Sequence, residues 1–115
     1  MKKICFDLDN VICKTRGNNY KEAIPYKNVI KFVNNLYYKN FFIIIFTARY
    51  MGRFDEDVNK VKKYGLAKTR KQLKKWKINY HKLVMGKPSY DYFVDDKAIG
   101  FKKNWMLNFK SILKT

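Results

Sequence analysis

Acidic residues are scarce in this chain of 115 residues: nine Asp plus Glu stand against 26 Lys plus Arg, a formal charge of +17 at pH 7. A surface of that sign collects polyanions and draws them in at low salt, so the charge points to an anionic partner without specifying nucleic acid. Lys, Asn, Ile, Tyr and Phe crowd the sequence while Ala and Gly are few, as an AT-rich coding sequence would impose. That bias leaves the shortage of acids unexplained. Cysteine is limited to Cys5 and Cys13, with no CxxC, which excludes a disulfide framework and leaves two reduced thiols. His81 is the one histidine; nothing near it has metal-ligand spacing, so it reads as structural. Long apolar runs are missing too. The longest, FFIIIF (41–46), falls far short of the roughly 20 residues that span a bilayer. MKKICFDLDN places acids where a signal peptide needs apolar residues. The expectation is a cytoplasmic protein with no membrane association, forming a single domain over 1–115.

What is present supports a sizeable core, with 47% apolar and 17% aromatic residues. ICFDL (4–8) reads as a short buried strand, followed by the polar loop TRGNNYKE. Pro25 suits a first helical turn, and Val29, Val33 and Leu36 follow at helical spacing, with Ile30 and Tyr37 widening that face. FFIIIF predicts a central parallel strand covered on both faces, ending at Thr47. Acids at 55–57, lysines at 60, 62 and 63 and a stop at Gly65 predict a helix matched to its dipole. Thr69 and Gln72 suggest a capping box before a second short helix carrying Leu73 and Trp76. LVMG (83–86) and YFVDD (92–96) predict third and fourth strands. Trp105, Phe109, Ile112 and Leu113 mark a last helix. This alternation implies an α/β fold: a Rossmann-like, doubly wound parallel sheet in three α/β/α layers, with right-handed crossovers.

In such a sheet, ligands bind beyond the carboxyl ends of the strands. Asp7 and Asp9 end the first predicted strand, Thr47 the second, Lys87 follows the third, and Asp95 and Asp96 end the fourth. Carboxylates gathered on one rim raise each other's pKa unless a cation neutralises them, and Mg²⁺ takes hard oxygen ligands of this kind. Period-two alternation puts Asp7 and Asp9 on one side, so that one can attack while the other handles a proton. Thr47 and Lys87 supply a hydroxyl and an ammonium for positioning and charge neutralisation.

DLDNV after one apolar strand, FT after a second, then GKP and FVDD, resemble in order the four motifs of the haloacid dehalogenase (HAD) superfamily. The resemblance covers essentially the whole chain. It implies that Asp7 is the nucleophile of an aspartyl-phosphate mechanism. Asp9 would be the general acid and then base, its carbonyl also reaching Mg²⁺. Thr47 and Lys87 would hold phosphoryl oxygens, and Asp95 and Asp96 would complete the metal site. Asn10 stands where the commonest pattern has Gly, which affects the local turn rather than the chemistry. The intervals 10–46 and 48–86 leave no room for a large cap domain, so the site would be open or lidded by another subunit of a homo-oligomer. ICFDLDNVIC, IIIFTARYMGR, GKPSYD and FVDDKA are further similar to small bacterial phosphatases of capsule or surface polysaccharide biosynthesis. That similarity implies an anionic phosphorylated small molecule as substrate: a sugar, sugar-nucleotide or amino-alcohol phosphate.

Asn10 and Arg49 are the candidate substrate-binding residues, Arg49 projecting from TARYMGR over the site to grip a second anionic group, or else solvated. KTRKQLKKWK (68–77) reads as a solvated helix face or as the wall of a path for a polyanion. Two alternatives stay open: a phosphatase of nucleic-acid ends, and a basic binding module without catalysis.

Overall fold

The computed structural model describes residues 1–114. A parallel three-stranded sheet is formed by β1 (Lys3–Asp7), β4 (Phe42–Thr47) and β5 (Lys82–Met85), in the order β1-β4-β5. Between β1 and β4 the chain makes a two-stranded ribbon of β2 (Cys13–Lys14) and β3 (Ile24–Pro25), then helix α1 (Lys27–Tyr38). Helix α2 (Val58–Lys75) links β4 to β5, and α3 (Trp105–Leu113) ends the described chain.

Both crossovers advance in the same direction along the sheet, so the right-handed rule puts α1 and α2 on one face. Ile4, Phe6, Ile43 and Ile45 point into that face and are packed with Val29, Val33 and Leu36 of α1 and Leu73 of α2. The opposite face is less covered. Phe42, Ile44 and Phe46 are half-buried and Cys5 is exposed, where the sequence had predicted cover on both sides of β4. The cause lies after β5. Residues 92–96 do not form the predicted fourth strand: Tyr92 and Val94 are more than nine-tenths exposed, and among the described residues the outer edge of β1 has no partner. A doubly wound sheet needs a return crossover to that edge, and here the chain instead lays α3 against α1. Trp105 meets Phe32 edge-on at 5.5 Å between centroids, with Phe109 beside it.

Three further local expectations differ. Pro25 pairs with Cys13 in the ribbon, and α1 begins two residues later. Helix α1 carries the predicted apolar stripe and closes with Asn40 at φ 71° and the Phe41 N–H reaching the Leu36 carbonyl. Gly65 does not stop a helix, and Thr69 and Gln72 do not start one. Instead α2 runs unbroken for 18 residues from the Asp57 cap, whose carboxylate accepts the Asn59 and Lys60 N–H groups. Gly65 is there for a close approach: a Cβ at this position would overlap the Tyr50 ring. Gly65→Ala is therefore expected to destabilise the fold by about 1–3 kcal/mol despite alanine's better helix propensity, measurable by urea unfolding.

Candidate active site

The site begins with the turn after β1. Leu8, Ile12 and Cys13 are fully buried, and the Leu8 carbonyl accepts the Ile12 N–H at 2.9 Å, which pins the turn to the core. Asn10 takes a left-handed φ of 65°, a conformation that Asn tolerates better than most residues, and its Oδ1 accepts the Thr15 N–H. Asn10 thus shapes the loop, and its side-chain oxygen is directed at the protein backbone rather than at a substrate. The turn leaves Asp7 and Asp9 lining one cavity of about 370 Å³, with Arg49 and Ser89 on its walls.

Asp7 is held at both oxygens. Its Oδ1 accepts the Leu8 N–H at 2.9 Å and its Oδ2 lies 3.4 Å from Lys87 Nζ. Burial pushes the Asp7 carboxyl above the ordinary carboxylate range, against the pull of Lys87. Lys87 comes into reach because Gly86, at φ 99°, turns the chain after β5 and the Lys87 N–H bonds the Thr47 carbonyl. A Cβ at Gly86 would also press on Val58. Burial draws the Lys87 ammonium down, but a hydrogen bond with Tyr90 and the Asp7 charge outweigh it and hold its pKa above the ordinary value.

Asp9 is more heavily engaged. Arg49 grips it with a fork, Nε to Oδ2 and Nη2 to Oδ1, each at 2.9 Å, while Thr15 Oγ1 and Cys13 Sγ also donate to Oδ1. Arg49 is only 2% exposed. The expectation that it projects over the site is corrected by these bonds: its guanidinium is drawn in by Asp9, by Gln72 Oε1 at 2.6 Å and by the face of Tyr20. Thr47 is likewise buried, and its Oγ1 accepts the Arg49 N–H, steadying the loop that carries the arginine.

Asp95 and Asp96 are not brought to this rim. Both are exposed in the segment after β5, and Asp95 accepts the Lys97 N–H. Among the described residues no three His, Cys, Asp or Glu side chains gather as metal ligands. The donor set in this arrangement does not fit Mg²⁺, since the Asp9 oxygens are taken by Arg49 and Thr15 and the Asp7 oxygens by Leu8 and Lys87. His81 behaves as read: its Nδ1 accepts the Ile43 N–H and its ring stacks between Tyr37 and Phe42.

Thr15, Tyr20 and Gln72 were missed from sequence, although they fix the arginine and the second aspartate. A buried arginine needs several acceptors, so an Arg two residues past a strand that ends at the same rim as Asp9 was the available signal.

No family model matches the chain, and no curated protein matches it. A crystal structure described as an MCSG target from Vibrio cholerae is similar to it at 26% identity and a TM-score of 0.87, covering 99% of this chain and 95% of that one. No helix among the described residues is long and apolar enough to cross a membrane. The chain therefore has a compact α/β fold, shared along almost its whole length with that structure.

Proposed function

We propose that the chain is a capless phosphatase of the HAD type, hydrolysing a phosphomonoester through an aspartyl-phosphate on Asp7. The observation that carries the reading is the pairing of two differently held carboxylates in one open cavity, with an ammonium on the first. Asp9, which faces Arg49 as a carboxylate in the resting site, would take a proton from solvent as the phosphate enters; Asp7 Oδ2 would then attack phosphorus and the bond to the leaving oxygen would break, with Asp9 supplying that oxygen's proton. Water, giving its proton back to Asp9, would then attack the phosphorus of the acyl phosphate and release inorganic phosphate and free Asp7. Oδ1 of Asp9 already accepts from three side chains, whereas Oδ2 accepts only from Arg49, so Oδ2 is the oxygen that exchanges the proton. Lys87 would pass from the carboxylate to the arriving phosphoryl oxygens as charge moves there. Lys87→Met is expected to lower turnover of p-nitrophenyl phosphate by about 10²- to 10³-fold, read from steady-state kinetics.

Mg²⁺ belongs to this reading through the resemblance of the four motifs, and through Asp95 and Asp96 in particular. It requires residues 92–96 to leave their exposed course and an Asp7 oxygen to be released from Leu8 or Lys87. The unpaired outer edge of β1 is available to them, and a parallel strand added there would end at the same rim as Asp7 and complete a doubly wound, Rossmann-like sheet. The substrate class is a phosphorylated sugar, sugar-nucleotide or amino-alcohol intermediate of surface polysaccharide synthesis. The test is phosphate release with and without Mg²⁺ from those small phosphomonoesters and from 3′-phosphorylated oligonucleotides. Mg²⁺-dependent release from a small phosphomonoester is expected. Release from oligonucleotides alone, or from nothing, would reject the reading.

A further inference from the structure

A second, larger hollow adjoins the acid pocket. It has a volume of about 860 Å³ and shares Asn18, Tyr20 and Arg49 with the smaller one, so the two meet along a common wall. Its other walls are basic. Lys21, Arg53, Lys68, Lys71 and Lys75 line it, and no acidic residue does. The recorded ion pairs among the described residues are Arg49 with Asp9 and Lys87 with Asp7, so none of these five cations is matched by a carboxylate.

Helix α2 concentrates that charge. Lys68, Lys71 and Lys75 follow at spacings of three and four, which sets them along one side of the helix, and α2 contains no acid to relieve them. Lys75 lies in the last turn, where the helix dipole favours a cation; Lys68 and Lys71 lie further in, where the dipole does not help. Like charges at this spacing weaken a helix, so the row has a cost that a bound anion would remove. On the facing loop, the Arg53 guanidinium rests over the Tyr64 ring at 4.3 Å and Lys68 Nζ at 3.8 Å, which limits the freedom of both heads. Trp76 and Tyr50 give the hollow an apolar lining between its charged sides.

The linings divide the work. Both hollows have volumes within the range of small-molecule sites, and their linings differ: Asp7 and Asp9 line the acid pocket, whereas every charged residue lining the larger hollow is a cation. Arg49 is committed to Asp9 and Gln72, so charge recognition in the hollow falls to the lysines and Arg53. We propose that this basic hollow holds a second phosphate carried by the leaving group, so that the substrate is a bisphosphorylated small molecule, cleaved at one end and held at the other. This rests on the phosphatase reading above for the end that is cleaved.

The experiment pairs kinetics with a measurement that needs no catalysis. Wild type and a Lys68→Gln, Lys71→Gln, Lys75→Gln variant, all three exposed positions, would be compared on fructose 1,6-bisphosphate against fructose 6-phosphate and on adenosine 3′,5′-bisphosphate against adenosine 5′-monophosphate. These pairs separate a sugar from a nucleotide as the body between the phosphates. The preference in kcat/KM for the bisphosphate is expected to fall about 10- to 100-fold in the variant, the worth of one or two charge-assisted hydrogen bonds. Lys62→Gln with Lys63→Gln, outside the hollow, should leave the preference unchanged. The same bisphosphates would be titrated calorimetrically into Asp7→Asn protein with and without the three substitutions. Lysine-dependent binding there, with no phosphate released by wild type, would uphold the subsite while rejecting the phosphatase reading. Equal binding with and without the lysines, an unchanged preference, or binding only of oligonucleotides with a steep salt dependence would overturn the proposal.

Discussion

Asp7→Asn is expected to lower phosphomonoester hydrolysis by at least about 10⁴-fold, the scale on which loss of a covalent nucleophile is felt, while the protein still folds. The amide oxygen can take over the Leu8 N–H, but its NH₂ group would face the Lys87 ammonium, so no nucleophile remains and Lys87 loses its partner. The substitution also has a pH signature. Burial holds the Asp7 carboxyl above its ordinary value of 3.8, so the native state keeps the proton over a range where the unfolded chain has lost it. Wild type is then most stable relative to Asp7→Asn below that ordinary value. It loses the margin as pH rises through the raised native value. Urea unfolding of both proteins at several pH values between acid and neutral checks the sign, and a margin that grows with pH would contradict it.

Arg49→Met carries the largest expected cost in stability, about 3–5 kcal/mol, because it leaves the Asp9 carboxylate, only 18% exposed, with its fork removed. Gln72 loses its donor and Tyr20 its stacked cation in the same step. Arg49→Lys should recover only part of this, since an ammonium cannot supply the paired Nε and Nη2 bonds. The double substitution Arg49→Met with Asp9→Asn is the informative control. Removing the buried charge together with its partner should cost less than Arg49→Met alone, and a double variant as unstable as the sum of the two singles would show that the ion pair is not the cause. Urea midpoints of the four proteins decide between these outcomes.

The strands and the first helix were legible because their signals are local. ICFDL and FFIIIF are short, apolar and bounded by polar residues, and the Val29, Val33 and Leu36 stripe needs only a 3.6-residue period. Asp7 and Asp9 stood out in a chain that has few acids, but the same signal also pointed to Asp95 and Asp96, which are not brought to the rim. What could not be read depends on contacts distant in sequence. Gly65 resembles a helix stop until the ring of Tyr50 is placed against it. YFVDD has the composition of a buried strand, but a strand exists only with an edge to pair with, and no such pairing is made here. Arg49 and Asp9 are 40 residues apart and meet because β1 and β4 are neighbours ending at one rim. Gln72 looked like part of a helix cap; its amide in fact joins Arg49 to the Tyr20 carbonyl.

The central claim is a covalent phosphoryl group on Asp7, and trapping that group tests it most directly. The protein would be mixed with acetyl phosphate and Mg²⁺, quenched in acid, reduced with borohydride and digested for mass spectrometry. The account predicts a peptide in which residue 7 has become homoserine, the product of reducing an acyl phosphate, and no such product from Asp7→Asn protein. Phosphate release by wild type with residue 7 left unreduced, or with the label on another residue, would contradict it.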